Sequence, residues 1–224
     1  MMLRPVALQI CCFLWFSTLF SVYAQPLSYS GRLVQGDDGL FEYTPAKGDE
    51  LRYIVTYPDG SQYDFVITLM HYNYPGKADF PIAFRWDIGE PLNSSGLIEL
   101  GADCLEKSEL YLNYFKDGTY LKLSDVSTVF VSAKNFNEVW HTPNRSTRMI
   151  MDGEEVMFYA KSEYSGFLIR LGDKTLQLRT LKLSNANTNT DNKELAFLPG
   201  HHRLIVFMKL NFSIELKEIK LSDF

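Results

Sequence analysis

Cysteine is nearly absent from this chain. Three occur in 224 residues; Cys11 and Cys12 sit in an apolar N-terminal run, which leaves Cys104 by itself. A lone cysteine closes no internal disulfide, so an exported product has to be held together by packing. Histidine is scarce too, with only His71, His141, His201 and His202. Lys and Arg form no cluster and the formal net charge is −5, which argues against nucleic acid or an anionic membrane surface as partner. There is no Gly-rich phosphate loop and no G-x-S-x-G elbow. His201 and His202 are neighbours, and neighbours on a strand point to opposite faces, so one metal ion rarely takes both. The pair reads as a solvated loop end. Asp37-Asp38 and Glu154-Glu155 are paired carboxylates in turns, where solvation keeps their protons ordinary. Cys104 reads as a buried, inert thiol, and Met149, Met151 and Met157 as core filling. No catalytic residue, no metal and no cofactor is expected, and the chain reads as a non-enzyme.

What is present begins with residues 1–24. One basic residue, Arg4, precedes an apolar stretch from Pro5 to Val22, and Val22-Tyr23-Ala24 has the small-residue pattern of a signal-peptidase site. The stretch is barely long enough to span about 30 Å of hydrocarbon, and no positive stop-transfer cluster follows. A cleaved signal peptide is expected, with a secreted or periplasmic product starting at Gln25 and no transmembrane segment after cleavage. No cysteine lies near the cut, so no lipid anchor is expected. Removing 24 residues, one of them basic, leaves 200 residues and moves the net charge to −6. That length suits one β-rich domain, residues 25–224. Sequons occur at Asn93, Asn144 and Asn211; they matter only in a eukaryotic secretory pathway.

The organising stretch is residues 50–70, ELRYIVTYPDGSQYDFVITLM. Leu51, Tyr53, Val55 and Tyr57 share one parity, as do Tyr63, Phe65, Ile67 and Leu69, so each run offers one apolar face. Pro58 presets φ for a turn and Gly60 supplies the positive φ that follows, which predicts a β-hairpin. Asp-Gly pairs recur at 38–39, 117–118 and 152–153. Between such turns the alternation predicts about a dozen strands, among them 128–131, 175–183, 203–209 and 211–219. Leu176 and Leu178 differ in parity from Leu181 and Leu183, and a bulge near Arg179-Thr180 would return both pairs to one face. Residues 204–208 are apolar throughout, which predicts a strand covered on both sides. Two short helices are expected, 103–115 from a capping-box-like Asp103, and one starting at an N-cap Ser132. Residues 185–192 read as a polar loop. The fold class is therefore mainly β, a curved antiparallel sheet or incomplete β-barrel with two short helices.

Gly48-Asp49-Glu50-Leu51-Arg52-Tyr53-Ile54-Val55, Phe84-Arg85-Trp86-Asp87, Pro91–Gly96 and the closing NFSIELKEIK, residues 211–220, resemble an uncharacterised family of exported bacterial β-rich proteins. That resemblance implies an open, curved sheet similar to periplasmic lipoprotein carriers and lipid-binding sensors, and brings no catalytic residues. Aromatic residues gather at Tyr72 and Tyr74, with Trp86 on the next strand. Such rings either rim a ligand pocket or lid the open end of the sheet. With the first reading, Tyr72, Tyr74 and Trp86 are the candidate ligand-binding residues of a cell-envelope protein that holds an apolar or lipid-like molecule. With the second, the chain is an interaction or structural module that docks onto another envelope protein.

Overall fold

The structure is a computed structural model that describes residues 31–222, apart from 77, 114, 162 and 186–191. The expected signal segment and its cleavage point, and most of the 185–192 loop, lie outside the described residues.

Of the described residues 53% are strand and 8% helix, so the mainly β class stands. A small hairpin of β1 (Leu33–Gln35) and β2 (Phe41–Tyr43) leads to β3 (Glu50–Thr56), β4 (Gln62–Tyr72), β5 (Ile82–Ile88) and β6 (Ser94–Leu100). Helix α1 (Ala102–Lys107), short strands β7 (Leu110–Tyr111), β8 (Thr119–Leu123) and β9 (Val126–Ser127), and helix α2 (Ala133–His141) follow. The chain then forms β10 (Ser146–Met151), β11 (Glu154–Ala160), β12 (Ser165–Leu171), β13 (Lys174–Ser184), β14 (Glu194–Phe197), β15 (Ile205–Lys209) and β16 (Ser213–Lys220).

All sixteen strands belong to one sheet. Its centre is a closed ring: β12 through β16 pair in succession, and β12 returns to β16 through a parallel contact. From β16 the sheet continues outward through β3, β4, β5, β6 and β8; from β13 it continues through β11, β10, β7 and β9. Most ladders are antiparallel, as expected.

The hairpin forms as its sequence dictates. Gly60 takes φ 83°, the Asp59 carboxylate accepts the Ser61 backbone N–H at 2.9 Å, and Tyr53 faces Phe65 across the ladder. Leu51, Tyr53, Val55, Phe65, Ile67 and Leu69 are all buried. Tyr57, on the same face, is 42% exposed, because the core ends before the hairpin does. Past Leu69 a bulge shifts the pairing with β5, and Met70 is left facing solvent.

Two apolar clusters form, one on each side of β14 and β15. Ala196, Leu198, Leu204 and Val206 join the larger, whereas Leu195, Phe197, Ile205 and Met208 join the one beneath α2. This accounts for the unbroken apolar run at 204–208. It also corrects the expected bulge in β13. The strand pairs in regular register with β12 up to Thr180 and with β14 from Leu181. Leu176 and Leu178 enter the larger cluster, Leu181 and Leu183 the smaller, so the change of parity serves two cores.

Three further expectations are corrected. The helix at 103–115 stops at Lys107 and its N-cap is Gly101, with no side-chain cap from Asp103. The Ser108 hydroxyl donates to the carbonyls of Leu110 and Asp125, Leu110 starts β7, and Tyr111 and Phe115 go to different clusters. The strand at 128–131 reduces to one bridge, Phe130 with Leu204, because Val129 adopts φ 62°, a sparsely populated state for a β-branched residue. Met157 is 42% exposed on β11, unlike the buried Met149 and Met151. Ser132 does cap α2, accepting from Asn135 N at 3.3 Å, and its hydroxyl also meets Ser108 O at 2.6 Å. Among the described residues no helix is long and apolar enough to cross a membrane.

Candidate functional site

The three aromatic residues singled out above do not share a concavity. Trp86 is wholly buried on β5, opposite Gly96 of β6. Its indole covers that glycine so closely that a Cβ there would lie 2.6 Å from Nε1. Among the described residues the indole N–H has no hydrogen-bond partner. Tyr74 is buried in a polar knot: Arg203 donates to its hydroxyl, which donates to Glu106. The Arg203 guanidinium lies 5.1 Å from the Tyr74 ring and also donates to the carbonyls of Val131 and Leu105. Tyr72 is half-buried against Phe130, and its hydroxyl lies 2.9 Å from His202 Nδ1. Tyr72 and Tyr74 are thus tied into the fold through their hydroxyls, and Trp86 lies in the core.

His202 is thereby drawn out of the solvated loop expected for it. Its desolvation, aided by the charges of His201 and Arg203, lowers its pKa to about 4, so the imidazole is neutral at physiological pH. His201 is exposed. The paired turn carboxylates also have partners: Asp38 with Arg179, Glu154 with Lys193, and Glu155 with Arg148. Burial pushes the Cys104 thiol up to about 12, which leaves it protonated and unreactive. Among the described residues no three His, Cys, Asp or Glu side chains converge as a metal site would require.

A concavity does exist, at the other end of the same hairpin. Val55 of β3, Tyr57 just past its end, and Tyr63 and Phe65 of β4 line a groove of about 420 Å³. Phe115 lines it as well, and so do Phe212 and Ile214 beside them, where Ile214 of β16 is the ladder partner of Val55. That volume falls within the range of small-molecule pockets. Tyr57 lies 5.7 Å from Tyr63 and 6.2 Å from Phe212, ring centre to ring centre. Phe115 packs against Phe65 at 4.7 Å and against Trp86 at 5.4 Å, so Trp86 supports the groove from behind without reaching it. Below, the groove narrows between Tyr53, Tyr111, Val129 and Met208 to about 10 Å³, at the limit for one water.

Polar groups occupy only one edge. Asp152, in the β10–β11 turn at φ 51°, accepts from Asn113 N at 2.7 Å and from Asn113 Nδ2 at 2.8 Å. Asn211 stands next to them. The two tyrosine hydroxyls lie 3.4 Å apart, and desolvation together with that contact raises the pKa of Tyr63 well above the usual phenol value. The groove is thus an apolar trough with a neutral aromatic rim and one hydrogen-bonding end.

No protein-family model, curated protein or solved structure matches the chain. Sequence parity places Tyr57, Tyr63 and Phe65 on one apolar face, and all three line the groove. Nothing local marks Phe115 or Phe212 as their neighbours, since the three segments are far apart in the chain.

Proposed function

We propose that this chain is an exported, non-enzymatic binding protein of the cell envelope that takes an apolar or lipid-like ligand into the groove lined by the β3–β4 hairpin, the neighbouring β16 and Phe115. The observation that carries this reading is the ring-lined trough itself: about 420 Å³, walled by Tyr57, Tyr63, Phe65, Phe115 and Phe212. Apolar walls with a few polar groups at one end suit a ligand whose body is hydrocarbon and whose orientation is set by hydrogen bonds. The acid at the groove, Asp152, is held by Asn113 rather than aimed at the trough, which supports binding over acid–base chemistry. The N-terminal signal pattern and the resemblance to lipoprotein carriers support the envelope setting, the latter as an analogy of fold.

An environment-sensitive apolar dye such as N-phenylnaphthylamine tests this. It should bind the folded protein one to one, and Tyr57→Ala, Tyr63→Ala and Phe212→Ala should each weaken binding, whereas His201→Ala should not. Absence of binding would shift the reading to the docking-module alternative.

A further inference from the structure

The aromatic groove has two unlike ends. Phe65, Phe115 and Ile214 also line the narrowing below it, whereas Asp152, Asn211 and Phe212 also line an adjoining hollow of about 380 Å³. One end is therefore hydrocarbon and aromatic, and the other sets rings beside an acid. With the groove as a ligand site, on which this assignment rests, we infer that it takes an amphiphile with a cationic head of the alkylammonium class. The hydrocarbon lies against Phe65, Phe115 and Ile214, and the ammonium over the rings of Tyr57 and Phe212 beside Asp152.

The sign of the charge at the groove points to a cation. Among the described residues that line it, Asp152 is the only one that is charged. Both of its carboxylate oxygens accept from Asn113, a neutral partner, so the group is held in place with its charge intact. No cation among the described residues pairs with Asp152. Lys193 lines the adjoining hollow and pairs there with Glu154. A charge acts across several ångströms, so Asp152 attracts a cationic head and repels an anionic one without having to touch either. A neutral polar head would find the Asn113 donors already engaged by Asp152.

The rings favour the same sign. An aromatic face carries negative potential and attracts a cation within about 6 Å of its centre, more strongly where water is excluded. Tyr57 is tilted by 44° to Tyr63 and by 50° to Phe212, so none of the three covers another face to face. Tyr57 is exposed, and Tyr63, Phe115 and Phe212 are half-buried, which leaves ring surface open to a ligand. Elsewhere the chain fills such a place itself, as where Arg203 lies over Tyr74. Among the described residues no lysine or arginine lies over Tyr57, Tyr63 or Phe212.

Competition against the dye with dodecyltrimethylammonium, dodecanol, dodecanoate and dodecylphosphocholine on the purified protein tests the head group. Dodecyltrimethylammonium should displace the dye at about tenfold lower concentration than dodecanol, the size of a partly desolvated cation–π contact. Dodecanoate should be the weakest, and dodecylphosphocholine should fall below the ammonium, because its phosphate meets Asp152. Tyr57→Leu and Phe212→Leu keep apolar bulk but remove the ring, and each should cut the preference for ammonium over dodecanol about twofold to threefold. Asp152→Asn, a residue that tolerates the φ of 51° in that turn, should cut it as well. If dodecanol or dodecanoate matches the ammonium, or if none of the three variants changes the preference, the cationic-head assignment is overturned while the groove stands. If dodecylphosphocholine binds best, the head is a zwitterion and the assignment is likewise overturned. If none of the four displaces the dye, or the dye itself does not bind, the groove reading falls and the head-group assignment with it.

Discussion

Arg170 and Glu218 are the pair through which the five-strand ring closes. They are partners in the parallel contact between β12 and β16, and Arg170 Nη2 donates to Glu218 Oε2 at 2.7 Å. The Glu218 side chain is 9% exposed, and Arg52 approaches it from the other side at 3.8 Å. The hydrogen bond from Arg170 holds the Glu218 carboxyl below its usual pKa of 4.5. Because Arg170 itself is mostly exposed, Arg170→Ala should cost about 1–2 kcal/mol, between a surface pair and a charged buried hydrogen bond. A carboxylate with a depressed folded pKa stabilises above its unfolded value and loses that contribution as pH falls through the folded one. The gap between wild type and variant in urea midpoints should therefore narrow below pH 4.5.

His202 has the opposite chemistry and also weakens the fold in acid. Its pKa falls from 6.5 to about 4 on folding, chiefly through desolvation, so the unfolded chain binds the extra proton first. Stability then rises with pH across that window and is fully present above 6.5. His202→Asn should flatten the dependence of the melting temperature on pH between about 4 and 6.5. An unchanged slope would mean that the imidazole is solvated.

The hairpin separates stability from binding along one face. Ile67 is fully buried, so Ile67→Ala should cost roughly 2–5 kcal/mol of unfolding free energy and leave dye affinity nearly unchanged. Tyr57, at 42% exposure, should behave in reverse: Tyr57→Ala should change stability by about 0.5 kcal/mol or less and weaken the dye. Chemical denaturation and dye titration on the same two variants check this.

Gly96 leaves no room above Trp86. Gly96→Ala would place a methyl 2.6–2.7 Å from three indole atoms. The indole is fully enclosed and cannot retreat without moving Phe115, so the variant should lose about 1–3 kcal/mol. A shift in tryptophan emission together with weaker dye binding would show the displacement passing through Phe115 to the groove.

Much of this fold was legible from alternation and turn chemistry, because the residues concerned act over a few positions. Gly60 and Asp59 make their turn locally, Ser132 caps its own helix, and parity alone assigns Leu51, Tyr53, Val55, Phe65 and Ile67 to one face. Parity does not say how far along a strand the core extends, so it gives Tyr57 and Tyr63 the same face as Phe65 without showing that they line a groove. It also does not say how many cores there are. Leu178 and Leu181 looked like a register fault and instead belong to two clusters. The aromatic set at Tyr72, Tyr74 and Trp86 was conspicuous for the converse reason: rings enclosed by the fold have the same composition as a pocket rim. Only the long-range partners, Arg203 for Tyr74 and His202 for Tyr72, separate the two.

The pairing of β3 with β16 has a kinetic consequence. Glu50 and Lys220, 170 residues apart, are partners in that ladder, so β3 finds its second neighbour only when the far end of the chain is available. During synthesis the early strands have an open edge and an uncovered apolar face, while β12 to β16 can assemble from contiguous sequence. Folding of the whole sheet should accordingly be slow compared with that of the ring, as expected for contacts of high sequence separation. Until β16 docks, the hairpin is a sticky surface in need of a chaperone.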